Sequence, residues 1–414
     1  MPLSTKVKYF SFSQLRAPTF VSSNTSSVRN ILTKCLVEGH GDVPVLDGTV
    51  TAGICRMRVA SGNSFSIDAV VRLAGCDQSG ANGDHRITSM GDLFFEFQTT
   101  LPNGPITGSA ITAKYAPAGW IKPFPDSGNV MVIRSGDTSA TSRQHYLRIT
   151  ESSSSVLNVK AYRTMTDINS GTGVYPPTPA AGYFWPRADE SNAFQRAWGV
   201  IATDKFFFWI CHPAIQSLDM DLRRSNSVAF FGQFIPKRPT DPNNVVLNGR
   251  TSANMANSYS NEGSYSYQDI GASTTVPNSY LYLAGPFDVG STPMTGAMFA
   301  PVPSSSFLYG ISGQTNFSNR DPFTGEIEVT RVNIIDSNGF ERGYIPGLFY
   351  VKSGDKRSMS SWALETGYGD FINRKLLGLY TTAGSTYAYQ RHTDGVDLGY
   401  VLFDIFGIDG MDWS

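Results

Sequence analysis

Hydrophobic positions along this chain recur with two periods. In "SSVRNILTKCLVEGHG" the apolar residues Val28, Ile31, Leu32, Cys35 and Leu36 are three and four apart, the spacing of one helical face. Ser26 or Ser27 is placed to cap this helix and Gly39 to end it. Beyond Gly39 most of the chain alternates with a period of two. In "ICRMRV", Cys55, Met57 and Val59 alternate with Arg56 and Arg58; in "FSIDAVVRL", Phe65, Ile67, Ala69, Val71 and Leu73 share one face. In "DLFFEFQT", Leu93, Phe95 and Phe97 oppose Phe94, Glu96 and Gln98. Turns such as "SGN" and "SGANGD" bound these runs, so the pattern predicts a small barrel or sandwich.

A second block opens at "APAGWIKPFPDSG". There "HYLRIT" and "LNVKAY" flank Ser152–Ser155 and read as a hairpin, with His145, Leu147 and Ile149 facing one way and Leu157, Val159 and Ala161 another. The tract "YPPTPAAGYFWP" is expected to be irregular, because proline cannot donate to a sheet. Residues 251–279, rich in Ser, Asn, Tyr and Gly, read as a long loop or a boundary between lobes. Strand patterns return in "GEIEVTRVNII", "GLFYVKS", "KLLGLYTT" and "GYVLFDIFG".

The densest apolar stretch is "TDKFFFWICHP". Phe206, Phe207, Phe208, Trp209 and Ile210 are too few to cross a bilayer. They predict a strand buried on both faces, following a turn at Thr203–Lys205. Adjacent residues of a strand point to opposite sides, so Cys211 and His212 do not make a nucleophile–base pair.

The expected fold is all-β, with several sandwich- or barrel-like lobes and one short N-terminal amphipathic helix. The expected divisions are an arm and helix over 1–44, a small barrel or sandwich over 45–114, a middle β-rich domain with the long Ser/Tyr/Asn loop over 115–284, and a C-terminal sandwich over 285–414. Composition agrees with that class: of 414 residues 40 are Gly, 26 Phe and 19 Tyr, while only 16% are charged. Balanced charge, 33 basic against 34 acidic residues, leaves no footprint for a nucleic-acid partner. "MPLSTKVKYFSFSQ" lacks the apolar core of a signal peptide and no stretch approaches the length of a membrane span, so synthesis in the cytosol without a membrane span is expected. Cys35, Cys55, Cys76 and Cys211 show no C-x-x-C pairing and read as buried thiols.

Candidate chemistry is sparse. "DINSGTG" begins like a calcium loop, but Thr172 and Thr178 occupy the positions that need Gly and Glu, leaving an Asx-rich turn. No phosphate-binding glycine motif is present, and "GISG" around Ser312 lacks the second glycine of a nucleophile elbow. The histidines, His40, His85, His145, His212 and His392, stand singly. Asp189 with Glu190, and Asp404 with Asp409, are the carboxylate pairs to inspect for glycoside cleavage. Trp120, Trp185, Tyr259, Tyr265 and Tyr267 are the rings to inspect for sugar stacking. The expectation is a non-enzyme with no catalytic, cofactor-binding or metal-binding residues.

Several segments, in order, resemble a family of tailed-bacteriophage virion structural proteins: "ILTKCLVEGHG", "VVRLAG", "ANGDHRITSM", "GWIKPF", "HYLRIT", "VKAYRTMTDINSGTGVYP", "RAWGVIATDKFFFWI", "RGYIPGLFYV", "NRKLLGL" and "VLFDIFG". The ending "IDGMDWS" departs from the Pro–Trp ending of that family. The resemblance implies a structural protein of the virion tail, made in the host cytoplasm, that serves as a tail-tip or baseplate scaffold or in tail-fibre attachment. It implies a homo-oligomer contacting other virion proteins, and no catalytic residues. The alternatives are a receptor- or glycan-binding tail protein that touches the host surface, or a capsid-decorating or collar protein. On this reading "MPLSTKVKYFSFSQLRAPTFVSSN" is an arm whose Phe10, Phe12 and Phe20 pack on a neighbouring subunit or another particle protein. Deleting residues 1–24 is then expected to spare folding of the isolated chain but prevent its incorporation into particles.

Overall fold

The fold arises from how each alternating run covers its apolar face. In this computed structural model the described residues are 2–211, apart from 15, 61, 64, 178, 179, 181, 189, 190 and 192; then 227–249; then the segments 282–285, 299–300, 330–335, 341–352, 369–371, 374–381 and 399–404.

Strand β1 (Lys8–Ser11) is followed by helix α1 (Ser27–Leu32), which continues as a π-helical segment over Thr33–Glu38. The predicted helical face holds: Val28, Ile31, Leu32, Cys35 and Leu36 are fully buried. At the helix end, the N–H groups of Ala118 and Gly119 donate to the carbonyls of Cys35 and Leu36, at 3.0 and 3.1 Å. Gly39 stops the helix at φ 81°, and a Cβ there would meet the Tyr115 carbonyl oxygen at 2.5 Å.

The next seven strands are β2 (His40–Thr51), β3 (Ile54–Val59), β4 (Val70–Ala74), β5 (Gly83–Gly91), β6 (Phe94–Gln98), β7 (Gly104–Ile106) and β8 (Thr112–Tyr115). They pair in the order β3-β6-β5-β4-β8-β2, and β2 pairs again with β3. Six strands thus close into a barrel, with β7 added beside β2. Alternation sets its two faces as predicted, except that Leu93 precedes β6 and is exposed. Cys55, Met57, Phe95 and Phe97 point inward and are buried, while Arg56, Arg58 and Glu96 face out. One predicted strand is shortened. Asp68 adopts φ 67° and the Ala69 N–H turns back to the Ser66 carbonyl, so β4 starts at Val70 and Ile67 stays exposed.

Beyond the barrel come β9 (Trp120–Ile121), β10 (Val130–Ser135), β11 (Tyr146–Thr150), β12 (Val156–Met165), β13 (Gly171–Tyr175) and β14 (Tyr183–Pro186). They form one antiparallel sheet, in which β11 and β12 make the predicted hairpin around the serine tip. Leu147 lies opposite Ala161 and Ile149 opposite Val159, so both predicted sets share the inner face and do not point apart. The expectation of irregular backbone through "YPPTPAAGYFWP" is corrected in part. Tyr183–Pro186 pairs with β12, with the proline last in the strand, where the missing donor matters least.

A second sheet is built largely from β15 (Trp198–Ala202), β16 (Phe206–Cys211), β17 (Ser227–Gln233), β19 (Val245–Gly249) and β20 (Tyr282–Ala284), with the short β18 (Ile235–Pro236) between β17 and β19 in the chain. Its order is β1-β15-β16-β17-β19-β20. Every residue of β16 is buried, as its unbroken apolarity predicts. Between the two sheets Trp120 and Trp185 meet Phe207 edge-on, at 5.2 and 6.1 Å between centroids, and Trp198 stacks on Trp209 at 6.4 Å. One continuous cluster of buried apolar residues runs from Phe10 through the barrel and both sheets to Ala284.

The last sheet contains β21 (Phe299–Ala300), β22 (Thr330–Ile335), β23 (Glu341–Lys352), β24 (Gly369–Phe371), β25 (Arg374–Thr381) and β26 (Gly399–Asp404). Its order is β21-β22-β23-β26-β25-β24, with β18 also paired to β23. The all-β expectation therefore holds. The loop expected over 251–279 lies outside the described residues.

Candidate functional site

The first polar cluster to explain is fully buried. Helix α1 has no side-chain cap of its own, since Ser26 makes no such bond. Glu151, just past the end of β11, supplies the cap from 123 positions away. Its Oε1 accepts the Val28 N–H and its Oε2 the Arg29 N–H, both at 3.1 Å, so the carboxylate sits where the helix dipole favours negative charge. Arg187 donates from Nε to Glu151 Oε1 at 2.9 Å, and neither residue is exposed. The remaining guanidinium hydrogens go to the carbonyls of Ser22, Ser153, Ser154, Val21 and Asn24. Burial pulls the Arg187 pKa down, while Glu151 works against that. Such a fully bonded pair specifies how the N-terminal segment, the helix, the serine tip and β14 meet.

A second set of buried cations fixes the start of the chain. Arg86 of β5 donates to the carbonyls of Ser4, Asp68 and Val7 at 2.6, 2.6 and 2.7 Å. Lys8 of β1 donates to the Pro117 carbonyl at 2.7 Å and pairs with Asp84 at 2.8 Å. β1 is an edge strand of the second sheet, Trp198 Nε1 donates to the Pro18 carbonyl, and Phe10 and Phe20 are buried in this chain's own core. The arm expectation is thereby corrected. Phe10 and Phe20 complete this chain's own fold, and Phe12 packs half-buried against the same core.

Among the described residues, those singled out for chemistry are occupied by packing and backbone hydrogen bonds. Cys211 is buried on β16, with its thiol pushed up to about 12 by burial. His212, His392, Asp189, Glu190, Asp409, Ser312, Tyr259, Tyr265 and Tyr267 lie outside the described residues, and Asp404 is described only as backbone of β26. Trp120 and Trp185 form no sugar platform. Both are buried, and their Nε1 groups donate to the carbonyls of Thr203 and Asn248 at 2.7 and 2.6 Å. The "DINSGTG" turn is closed by Asp167 Oδ1, which accepts the N–H groups of Asn169 and Ser170. Arg148 reaches Asn169 Oδ1 at 3.1 Å, putting a guanidinium where a cation would need to bind.

The described histidines are occupied by packing. His40 stacks on Tyr115 at 4.9 Å, and His85 stacks on Phe97 at 4.0 Å with Nε2 on the Ala81 carbonyl. His145 Nδ1 meets the Tyr175 hydroxyl at 2.9 Å. Burial, with Arg163 and Arg143 nearby, lowers its pKa to about 4. Among the described residues no group of three or more His, Cys, Asp or Glu is placed to hold a metal ion, and no helix is long and apolar enough to cross a membrane.

The surface feature that stands apart is one end of the barrel. Leu46 bulges from β2 between residues facing Val59 and Arg58, and the Leu93 carbonyl accepts the Val59 N–H from the other side. Both leucines are 56% exposed, and Met90, also exposed, shares the β5–β6 hairpin with Leu93. Two ion pairs run down the adjoining face. Arg58 pairs with Asp47, and Arg56 pairs with Glu96 at 2.6 Å while lying 4.2 Å from the Phe94 ring centroid. Exposed pairs of this kind add little stability, so the face is not explained by the fold's own needs. In the sequence its one signal is Leu46, an apolar residue out of phase with its strand. No protein-family model matches the chain, and no curated protein matches its sequence.

Proposed function

We propose that this chain is a non-enzymatic structural component of a tailed-bacteriophage particle, acting at the tail tip or baseplate as a scaffold or fibre-attachment protein. The ordered series of resembling segments suggests the class. The observation that carries the reading in structural terms is the apolar end of the barrel. Leu46, Met90 and Leu93 project from a closed, rigid element beside a face of paired charges. Grouped exposed apolar side chains with a polar surround suit contacts between proteins. A homo-oligomer and other tail proteins are the proposed partners.

Immunogold electron microscopy of purified particles tests the proposal. Gold at the distal tail is the expected result. Gold on the head or neck would move the protein to the capsid-decorating or collar alternative. Absence of signal from both intact and disrupted particles would overturn the structural reading. Leu46→Ser with Leu93→Ser is expected to leave the melting temperature unchanged and reduce incorporation into particles.

A further inference from the structure

The outward face of the β10–β12 layer gathers charge of one sign. Register places Arg148 of β11 directly opposite Lys160 of β12, and Arg134 of β10 opposite Tyr146. Like charges facing each other across strands weaken a sheet. No counter-charge offsets them here: none of the ion pairs among the described residues includes Arg134, Arg148 or Lys160.

The partners of the two arginines are neutral. Arg148 donates to the Ile168 carbonyl, Thr150 Oγ1 and Asn169 Oδ1 at 3.0, 2.9 and 3.1 Å. Arg134 donates to Gln144 Oε1 and the Ser135 carbonyl at 2.7 and 3.2 Å, and its buried Nε has no partner. The nearby acid of the 166–170 turn, Asp167, is spent on its own backbone. The Lys160 stem lies against Gly182, where a Cβ would come within 2.5 Å of Lys160 Cγ. Burial and the Arg148 charge both lower the Lys160 pKa, a cost that a bound anion would relieve.

Aromatic rings border the cations. Tyr146 stacks with Phe124 at 6.3 Å and 18°, and Phe184 of β14 stands opposite Asn158, next to Lys160 on the same face. We propose that this face binds an acidic saccharide, with its carboxylate between Arg148 and Lys160 and its ring against Phe184. Half-buried cations without a counter-ion call for an oxyanion, and flat apolar rings beside them suit the faces of a sugar. Three cations on a chain of formal charge −1 suit one carboxylate better than a polyanionic backbone. The inference stands independently of the virion reading.

Calorimetric titration of the full chain with sodium glucuronate, glucose and tetraglutamate at equal ionic strength tests it. Glucuronate is expected to bind and glucose not to. Lys160→Gln is expected to weaken glucuronate binding about tenfold, the loss of one charge-assisted contact. The same variant should melt at the same temperature or slightly higher, because a repulsion is removed. Four outcomes would overturn the proposal: glucuronate binding no tighter than glucose, binding unchanged in Lys160→Gln, tetraglutamate binding more tightly than glucuronate, or a variant that melts well below the parent.

Discussion

In the barrel, β3 and β6 turn one face to an apolar interior and the other to water, whereas β15, β16 and β19 are buried on both faces. Closure explains the first. A ring of six strands satisfies its own backbone and needs nothing laid over it, so its outer face is free to carry Arg56, Arg58 and the leucines. The second sheet must be covered from both sides, and polar residues that arrive with the covering have to be satisfied in the interior. Asn248 shows how. Its Oδ1 accepts the Phe230 N–H at 2.7 Å and its carbonyl takes the Trp185 indole N–H. Glu151 and Arg187 are the charged version of the same solution.

Removing residues 1–24 should break this contrast most severely. The deletion takes away β1, Phe10, Phe20 and acceptors for Arg86 and Arg187, leaving buried guanidinium groups short of partners. Loss of a cooperative urea transition is expected; a truncated chain that unfolds cooperatively near the parent midpoint would show that the stacked sheets do not need their N-terminal cover. Next in size is Glu151→Ala, which strands Arg187 in the core and uncaps α1. A loss of about 3–5 kcal/mol in the urea-derived unfolding free energy is expected. The double variant Glu151→Ala with Arg187→Met should recover part of that loss, because no uncompensated charge remains.

A smaller and pH-dependent effect is expected at His145. Its folded pKa of about 4 lies below the ordinary value near 6.5, so the unfolded chain binds the proton first. Stability is therefore unaffected above about pH 6.5 and falls as pH drops towards 4, with a slope of up to about 1.4 kcal/mol per pH unit. Urea midpoints measured from pH 7 to pH 4 should show a shallower fall in His145→Gln. The smallest effect belongs to the barrel's outer face. Arg58→Ala breaks an exposed pair and should leave the thermal midpoint where it is in the parent; a drop of several degrees would mean that this face contributes to stability after all.

Legibility in the sequence divides along the same line. The barrel strands are legible because alternation records one wet and one dry face, and α1 because Val28, Ile31, Leu32, Cys35 and Leu36 keep helical spacing. β16 is legible for the opposite reason, having no wet face at all. β1 is not, since four residues amid serines and a proline-containing stretch look like an arm until β15 is seen beside them. Glu151 gives no sign as a cap, because its helix lies more than a hundred residues earlier. Arg187 and Arg86 are equally silent, as arginine is ordinarily a surface residue and their acceptors are mostly backbone carbonyls that no side-chain pattern reveals. The cationic face around Lys160 stays hidden in three separate strands until register sets Arg148 against it.

The pairing of Tyr9 with Ile201 also sets an order of events at the ribosome. β1 leaves the exit tunnel long before the strand it belongs beside, which is made almost two hundred residues later. At translation speeds of roughly 5–20 residues per second the two are separated by about ten to forty seconds. Through that interval Phe10 and Phe20 have no core to enter, and the nascent chain carries uncovered aromatic rings. β1 is thus made well before its neighbour and put in place late, which makes the growing chain a natural client for chaperones that hold apolar segments.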